Sequence, residues 1–383
     1  MDFMVPVWNV EAMTQTFDII VIGAGIAGAS VAAHLAEHAS VAILDMEDRA
    51  GYHTTSRSAS SFEPNYGPKP ILALTRASRD FFMAPPEGFT DAPIFTKRGS
   101  LVFEAKGQEQ QAQNFLAKAI DIEELSEAEA RALVPILREG YATRGFLEAG
   151  TGALDVDLLH RGYLRLFKQR GGVLKLEAGA IKITKSAGLW QIETPQGEFT
   201  TKLIVNAAGA WGDQVAALAG VQPVGLIPKR RSIGVIAVPD YDVMKWPFMV
   251  DCAESWYSVP QSGKLLVSSA DATPVKPHDA YADDEAIAIG IDRLMQATTL
   301  DVQRLEHSWG GLRTFSPDTA PVVGFDPSTD GFFWLVGQGG YGIQSSPALS
   351  RTAAAMVLKQ NIPEDVLAAG LDVSHILPQR FRD

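Results

Sequence analysis

A glycine-rich turn between an apolar strand and an Ala-rich helix limits the possible folds of this chain more than any other segment. Residues 19–22 predict a buried parallel strand, and residues 41–44 predict a second one that ends at Asp45. Between them stands a G-x-G-x-x-G motif that opens the helix, made by Gly23, Gly25 and Gly28. This order of strand, turn, helix and strand is typical of a dinucleotide-binding unit.

Each part of the motif has a physical role in binding a dinucleotide. Gly23 permits the tight turn, Gly25 lets the backbone approach a pyrophosphate, and Gly28 lets helix and strand pack closely. The helix N-terminus offers N–H groups to the phosphates, and Asp45 can accept both ribose hydroxyls. The motif by itself leaves the choice between FAD and NAD open. The neighbouring residues predicted to line this site are Ala24, Ile26, Ala27 and Met46.

Length and charge restrict the remaining classes. The chain has 383 residues, 46% of them hydrophobic, which is enough for about two domains. Its net charge of −12 disfavours nucleic acid or an anionic membrane as the main partner, because such surfaces attract basic patches. The longest basic cluster, residues 229–231, is too short to change this. A small-molecule substrate is the favoured partner.

The cysteine content and the first residues of the chain indicate the cellular compartment in which we expect the protein. Cys252 is the single cysteine, so no internal disulfide is possible and a reducing cytosol is expected. Residues 1–16 lack the basic region and long apolar core of a signal peptide, and we predict a disordered extension there. No apolar stretch is long enough to span a bilayer, while peripheral membrane association stays open. We predict no metal site.

Small residues recur at three further places that favour close approach of a ligand to the backbone. Residues 51–67 are small, polar and rich in turn formers, which predicts a loop and a helix start lying over a ligand. An apolar strand ends in Ala207, Ala208 and Gly209, and residues 337–344 place a glycine cluster before a C-terminal helix. Together with the N-terminal turn they indicate a large cofactor.

The alternation of segments predicts a two-domain α/β (α+β) fold. A Rossmann-like cofactor domain would be accompanied by a smaller substrate domain built on an antiparallel sheet. For the cofactor domain, the family resemblance described below implies the sheet arrangement of glutathione reductase. The predicted cofactor domain comprises residues 17–95, 150–225 and 310–383, and the predicted substrate domain comprises residues 96–149 and 226–309.

Six segments together resemble the D-amino-acid oxidase superfamily of flavoproteins. They are the N-terminal fingerprint, residues 51–59, 206–211, 228–232, 311–313 and 338–344. Within that superfamily the chain is most similar to the bacterial FAD-dependent D-arginine dehydrogenases, from Phe17 to the C-terminus. The resemblance implies FAD as the cofactor. It further implies that the flavin is bound non-covalently, because Gly311 stands where sarcosine-oxidase-like relatives carry the cysteine that forms the link.

The resemblance also assigns cofactor contacts outside the N-terminal turn. Arg57, Ser58 and Ala59 would lie beside the pyrophosphate and the isoalloxazine, and Ala208, Gly209 and Trp211 would follow the adenosine side. The residues implied to close over the flavin ring are Gly339, Gly340, Tyr341, Gly342, Ile343 and Gln344.

Oxidation of an amino acid at Cα requires a carboxylate clamp that points the Cα–H bond at the flavin, and a guanidinium supplies one. Arg231 and Arg313 match the two carboxylate-binding arginines of the family. Tyr66 and Tyr257 match tyrosines that shape the pocket, and Gln338 is a candidate contact for the substrate amine. No catalytic acid or base is assigned with certainty; the candidates are Ser61, Tyr66 and His53.

Three positions depart from the D-arginine dehydrogenases. Ser100 stands where those enzymes carry the glutamate that binds the substrate guanidinium, which argues against arginine as the preferred substrate. Ser61 matches a histidine and Glu63 matches a threonine. The chain thus lacks a carboxylate at position 100 and has gained one at position 63. Glu63 either contacts a cationic amine or belongs to a surface loop.

The predicted function is FAD-dependent oxidation of a D-amino acid by hydride transfer from Cα to flavin N5. The imino acid formed would hydrolyse to a 2-oxo acid and ammonia. Three alternatives remain. The first is a glycine, sarcosine or other secondary-amine oxidase, and the second is a 2-hydroxy-acid dehydrogenase of the same fold. The third is a flavin-binding module without turnover or an NAD-dependent Rossmann protein. The electron acceptor stays open between oxygen, a quinone and a carrier protein.

Overall fold

The predicted strand–turn–helix–strand unit is present near the start of the computed structural model, which describes residues 14–382. Strand β1 (Gln15–Ile22) runs into helix α1 (Ile26–Leu35), which returns the chain to strand β2 (Val41–Leu44). The two strands pair in parallel, Ile20 opposite Ala42, and all four residues of β2 are buried. Near-continuous apolar character is expected of a parallel strand covered on both faces.

The other strands follow along the chain as β3 (Ser61–Phe62), β4 (Phe95–Lys97), β5 (Ser100–Ala105), β6 (Glu123–Ser126), β7 (Ala142–Glu148), β8 (Gly152–Leu154), β9 (Val173–Lys175), β10 (Lys182–Ser186), β11 (Leu189–Thr194), β12 (Gly197–Asn206), β13 (Ile227–Ile236), β14 (Phe248–Asp251), β15 (Tyr257–Gln261), β16 (Lys264–Ser268), β17 (Thr273–Pro274), β18 (His307–Phe315), β19 (Val322–Phe325), β20 (Phe332–Val336) and β21 (Gln338–Gly339). The remaining helices are α2 (Lys69–Ala77), α3 (Arg79–Met83), α4 (Glu109–Leu116), α5 (Glu127–Leu133), α6 (Val156–Gln169), α7 (Gly212–Leu218), α8 (Asp284–Ala297), α9 (Gly342–Val357) and α10 (Glu364–Ala368).

An eight-stranded sheet surrounds the N-terminal unit. Its order is β10-β11-β12-β1-β2-β9, and β20 pairs in parallel with β12 and antiparallel with β19. Helices α1, α6 and α9 cover one face through a continuous apolar core that includes Val21, Leu35 and Leu349. A second core on the opposite face includes Trp190 and Trp334. The sheet is therefore a covered, mostly parallel layer whose carboxyl edge faces the site described below.

A ten-stranded sheet of mainly antiparallel pairs forms the second layer, in the order β21-β18-β13-β16-β15-β14-β5-β7-β6 with β17 paired to β13. Its longest contact joins β13 to β18, from Ile227 opposite Phe315 to Val235 opposite His307. A separate apolar core, which includes Phe103 and Trp256, supports this sheet. The α/β fold class is confirmed, although the antiparallel sheet has more strands than the parallel one.

Helix ends agree with the capping signals in the sequence. Asp155 accepts a hydrogen bond from the backbone N–H of Leu158 at 2.9 Å, so α6 begins at Val156, directly after this N-cap. Ser126 and Glu129 form a reciprocal capping box at the start of α5.

The predicted domain boundaries stay a prediction, and one strand crosses them. Strand β18 runs through the boundary placed at residues 309/310 and belongs entirely to the ten-stranded sheet. The predicted N-terminal extension lies mainly outside the described residues. Its last two residues, Gln15 and Thr16, pair with Phe199 and Thr200 in the parallel sheet, so the extension as predicted was too long.

Within residues 14–382, no helix has the length and apolar character needed to cross a membrane. No group of three or more potential metal ligands comes together in that part of the chain either.

Candidate active site

A cavity of about 940 Å³ extends along the carboxyl edge of the parallel sheet and continues against the ten-stranded sheet. Its wall includes the glycine turn, the residues after β2 and β12, and side chains of β13 and β18. Every predicted cofactor-binding or substrate-binding residue lines it except Ala24 and Gly28. The fold therefore brings segments that are far apart in the sequence into the wall of one continuous cavity.

The glycine turn is as tight as its motif predicts. Gly23 has φ +106°, and a Cβ there would lie 2.5 Å from the carbonyl oxygen of Ala207. A Cβ on Gly28 would overlap the carbonyl oxygen of Gly23. Gly28 is thus absent from the cavity wall because it makes the contact between helix and strand.

Side chains form hydrogen bonds with the backbone N–H and C=O groups around the glycine turn. Asp45 accepts hydrogen bonds from the N–H groups of Ala24 at 2.6 Å and Glu47 at 2.9 Å, while burial raises the pKa of its carboxyl. Thr55 accepts from the N–H of Ile26 at 2.9 Å, and buried His160 Nε2 lies 2.8 Å from the carbonyl oxygen of Ala24. The sequence analysis missed Thr55 and His160, because nothing in their own segments indicates this distant contact.

The loop after the second strand is fixed to the other sheet. The Arg57 guanidinium lies 2.5 Å from Asp279 and 2.6 Å from the carbonyl oxygen of Ala280, and this ion pair lowers the pKa of Asp279. Arg57 therefore lines the cavity while its charge is neutralised by protein. The backbone oxygen of the same residue accepts from Trp309 Nε1 at 3.1 Å.

His53 lies among residues that follow the parallel strands. Its Nε2 is 2.8 Å from Glu47, and its ring packs 4.5 Å from the ring of Trp211. None of these contacts involves a predicted substrate-binding residue. The structure therefore gives no support to His53 as a base beside the substrate.

Arg313 lies inside the cavity without a counter-charge. Its guanidinium donates to the Tyr66 hydroxyl at 2.7 Å and lies over the rings of Phe315 and Tyr341. Among the described residues, no carboxylate lies within 4.0 Å of it. A partly desolvated cation of this kind provides a strong site for an anionic ligand.

Arg231 lies on the neighbouring strand β13, and its positive charge is partly compensated by Asp271. Its Nε donates to the backbone oxygen of Asp271 at 2.8 Å and lies 3.9 Å from the carboxylate of that residue. Its guanidinium lies 5.6 Å from the ring of Tyr257, which stacks on Phe248. Arg231 stands opposite Gly311 in the β13–β18 pair. The structure thus places both predicted carboxylate-binding arginines on adjacent strands.

Glu63 and Tyr66 are the first and last residues of one β-turn, in which the N–H of Tyr66 bonds the carbonyl oxygen of Glu63 at 3.1 Å. Gln344 of α9 holds this turn by accepting from the N–H of Glu63 at 3.0 Å. Glu63 is 8% exposed, so its interpretation as a surface-loop residue was wrong. Asn65 of the same turn donates to Glu148 at 2.5 Å.

Other predicted residues complete the substrate side of the cavity. Buried Ser100 and partly buried Ser61 lie beside the Glu63 carboxyl. Gln338 reaches the cavity with its Nε2 unpaired among the described residues. Glu148 was missed, because its strand carries no motif and only the fold brings it to Glu63.

The family model described as DAO, FAD dependent oxidoreductase, matches residues 18–356. The chain belongs to the DAO family of FAD-dependent oxidoreductases. Glycine oxidase of Geobacillus kaustophilus is 22% identical over 374 residues, which cover 92% of this DAO-family chain and 96% of that enzyme. The narrower resemblance to D-arginine dehydrogenases stays a prediction.

Two other relatives match over less of their length. The uncharacterized oxidoreductase YurR of Bacillus subtilis is 23% identical over 256 residues, with 64% of this chain and 65% of that protein covered. Human mitochondrial dimethylglycine dehydrogenase is 23% identical over 255 residues, with 61% of this chain and 29% of that protein covered. The DAO-family chain thus spans less than two thirds of either relative.

Solved structures share the fold over nearly the whole chain. Glycine oxidase from Geobacillus kaustophilus superimposes with a TM-score of 0.80 at 22% identity, covering 91% of this chain and 96% of that one. L-proline dehydrogenase from P. horikoshii superimposes with a TM-score of 0.81 at 17% identity, covering 96% of this chain and 98% of that one. At these identities the likeness establishes the fold of the DAO-family chain.

The described residues fit FAD. Gly209 has φ +53° and no atom within 4 Å of the position of a Cβ, so backbone is open to a ligand beside the cavity. Asp45 lies in the wall where ribose hydroxyls need an acceptor, and the first turn of α1 offers N–H groups to phosphates. At the predicted attachment position, Gly311 has no sulfur to form a covalent link.

Gly340 leaves the space that Arg313 occupies, because a Cβ there would overlap its guanidinium. We expect Gly340→Ala to displace Arg313 from Tyr66 and to raise KM for a carboxylate-bearing substrate about 10-fold or more. Steady-state kinetics on flavin-loaded protein measures this effect. Gly150→Ala is the matched control, since its nearest atom would be Arg79 at 3.7 Å. An unchanged KM in Gly340→Ala would contradict the placement of Arg313.

Proposed function

We propose that the protein oxidises a free amino acid at Cα with bound FAD, and that D-amino acids are its substrates. The observation that carries the proposal is the Arg313 guanidinium, which lies in the cavity without a carboxylate partner within 4.0 Å among the described residues. A substrate carboxylate supplies the missing charge. The D configuration follows from the sequence resemblance.

The described residues position the substrate. Arg313 and Arg231, on adjacent strands, hold the carboxylate, and Tyr66 orients Arg313 through its hydroxyl. Fixing the carboxylate fixes the direction of the Cα–H bond, which is the main requirement for hydride transfer. When bound, FAD supplies the acceptor for that hydride.

The reaction requires no covalent bond between the substrate and the protein. The hydrogen on Cα leaves with both electrons of the Cα–H bond, and the lone pair of an unprotonated amine forms the C=N bond. Water then hydrolyses the imino acid to a 2-oxo acid and ammonia. Oxygen, a quinone or a carrier protein would then take up the two electrons.

A glycine- or sarcosine-type amine oxidase is the second candidate. It is supported by the match to a protein named glycine oxidase over 92% of this chain. A 2-hydroxy-acid dehydrogenase would need a base beside the substrate hydroxyl; His53, the residue considered for that role, contacts Glu47 and Trp211 and so gives this candidate no support.

The test is product formation with a dye as electron acceptor. We expect equal amounts of 2-oxo acid and ammonia from at least one D-amino acid, with little turnover of the L-enantiomer. Turnover confined to glycine and N-methyl amino acids would favour the second candidate. Turnover of 2-hydroxy acids alone would overturn both.

A further inference from the structure

The turn at residues 63–66 connects the carboxylate clamp to an acidic part of the cavity. Pro64 is its second residue, and the i to i+3 hydrogen bond keeps the Cα atoms of Glu63 and Tyr66 within about 7 Å. Because the Tyr66 hydroxyl contacts Arg313, a substrate bound there lies close to the turn that carries Glu63. Position therefore makes Glu63 a candidate contact for the substrate nitrogen.

Glu63 has hydrogen-bonding capacity that the described residues leave unused. It is 8% exposed and lines the cavity, and its Oε1 has no hydrogen-bond partner among the described residues. A buried carboxyl oxygen without a donor is costly, so a ligand N–H group would stabilise it. The carboxyl contacts the hydroxyl groups of Ser61 and Ser100, which cannot act as bases near neutral pH.

Glu148 forms a pair with Glu63. It is 4% exposed and lines the same cavity, held by Asn65. Burial, and then the charge of Glu148, raise the pKa of Glu63 well above its ordinary value. Burial raises the pKa of Glu148 to about 7. Glu63 therefore loses its proton at a higher pH than an ordinary glutamate does, and the carboxylate then formed accepts a proton readily.

The cationic side chains around Glu63 and Glu148 do not form direct ion pairs with them. Arg98 faces Glu63, and Arg76 and Lys118 face Glu148, but none forms an ion pair within 4.0 Å of either carboxyl. Arg76 is engaged by the backbone oxygens of Pro64 and Lys118 and by Asn65. No neighbouring cation thus holds the pair in its charged form.

Other groups in the cavity are less suited to take a proton from the substrate. Asp251 already accepts hydrogen bonds from Gln108 and Ser255, and Glu254 is exposed to solvent. The Tyr66 hydroxyl is engaged with Arg313, and His53 lies against Glu47.

We propose that the Glu63–Glu148 pair is the base that removes a proton from the substrate ammonium group, with Glu63 as the residue that contacts it. This inference rests on the proposed amino-acid oxidation. An N–H bond of the ammonium group breaks, an O–H bond forms on the carboxyl, and the electron pair stays on nitrogen. The neutral amine then has the lone pair that hydride loss from Cα to bound FAD requires.

The test is the pH profile of kcat/KM for a D-amino acid that the protein turns over. In the wild type we expect kcat/KM to rise with pH as Glu63 ionises, at a higher pH than an ordinary glutamate would. Glu63→Gln should lower kcat/KM at neutral pH about 100-fold and regain activity at alkaline pH, where the substrate amine loses its proton unaided. A merely structural defect would not recover with pH.

Two further variants sharpen the test. Glu148→Gln removes the neighbouring charge and so lowers the pKa of Glu63; the rise should shift to lower pH without being lost. Glu87→Gln changes an exposed acid that does not line the cavity and should keep the wild-type profile. A wild-type profile in Glu63→Gln would overturn this inference while leaving the proposed oxidation intact. Absence of turnover at every pH, in every variant and the wild type, would overturn the proposed function itself.

Discussion

Replacing Arg313 by methionine is expected to lower kcat/KM for a D-amino acid by about 100-fold or more while flavin stays bound. Methionine keeps much of the apolar contact with Phe315 and Tyr341 but loses the charge. The substrate carboxylate would then be desolvated without a partner, and losing one side of such a charge pair costs about 2–5 kcal/mol. Arg313→Lys should retain part of the activity, because an ammonium keeps the charge and loses the forked geometry.

The control for Arg313→Met is Arg161→Met. Arg161 lies on α6 in an exposed ion pair with Asp157, 2.9 Å away, and such pairs contribute little. Steady-state kinetics together with the flavin absorbance of each purified variant measures the contrast. Equal kcat/KM in Arg313→Met and the wild type would show that the substrate carboxylate is bound elsewhere.

Replacing Gly28 by alanine is expected to give protein that folds poorly and retains little flavin. The added methyl group would overlap the carbonyl oxygen of Gly23, which is backbone and cannot rotate away. Overpacking of this kind costs about 1–3 kcal/mol or more, and here the strain falls on the turn that holds the phosphates. Thermal unfolding and the ratio of flavin to protein absorbance measure the two effects.

Gly150→Ala is again the control, since its methyl group meets only ordinary contacts. It should keep the wild-type unfolding temperature and flavin content. A fully loaded, equally stable Gly28→Ala would contradict the close packing of α1 on β1.

Local patterns were enough to predict the nucleotide-binding unit. The apolar run, the three glycines and the acid at Asp45 are consecutive, so their geometry is set by short-range sterics and hydrogen bonding. The continuous apolar run at residues 332–336 likewise coincides with the buried strand β20. The resemblance of separate segments then indicated that Arg231 and Arg313 share a site, which the β13–β18 pairing supports.

Contacts between distant segments could not be predicted in this way. Glu148 reaches the turn at Asn65 across 83 positions, and His160 supports Ala24 across 136. No periodicity encodes such pairs, because they arise only when sheets and loops pack together. The raised pKa of Glu63 likewise depends on burial and on Glu148, and neither is visible in its own segment.

The central claim is that an amino acid bound at Arg313 reduces FAD in this protein. Its most direct test is anaerobic absorbance titration of the purified flavoprotein with the D- and L-enantiomers of single amino acids, in the wild type and in Arg313→Met. We predict rapid bleaching of the wild-type flavin by at least one D-enantiomer, and strongly slowed bleaching in the variant at the same concentration. A wild-type flavin that no D-amino acid bleaches would contradict the account.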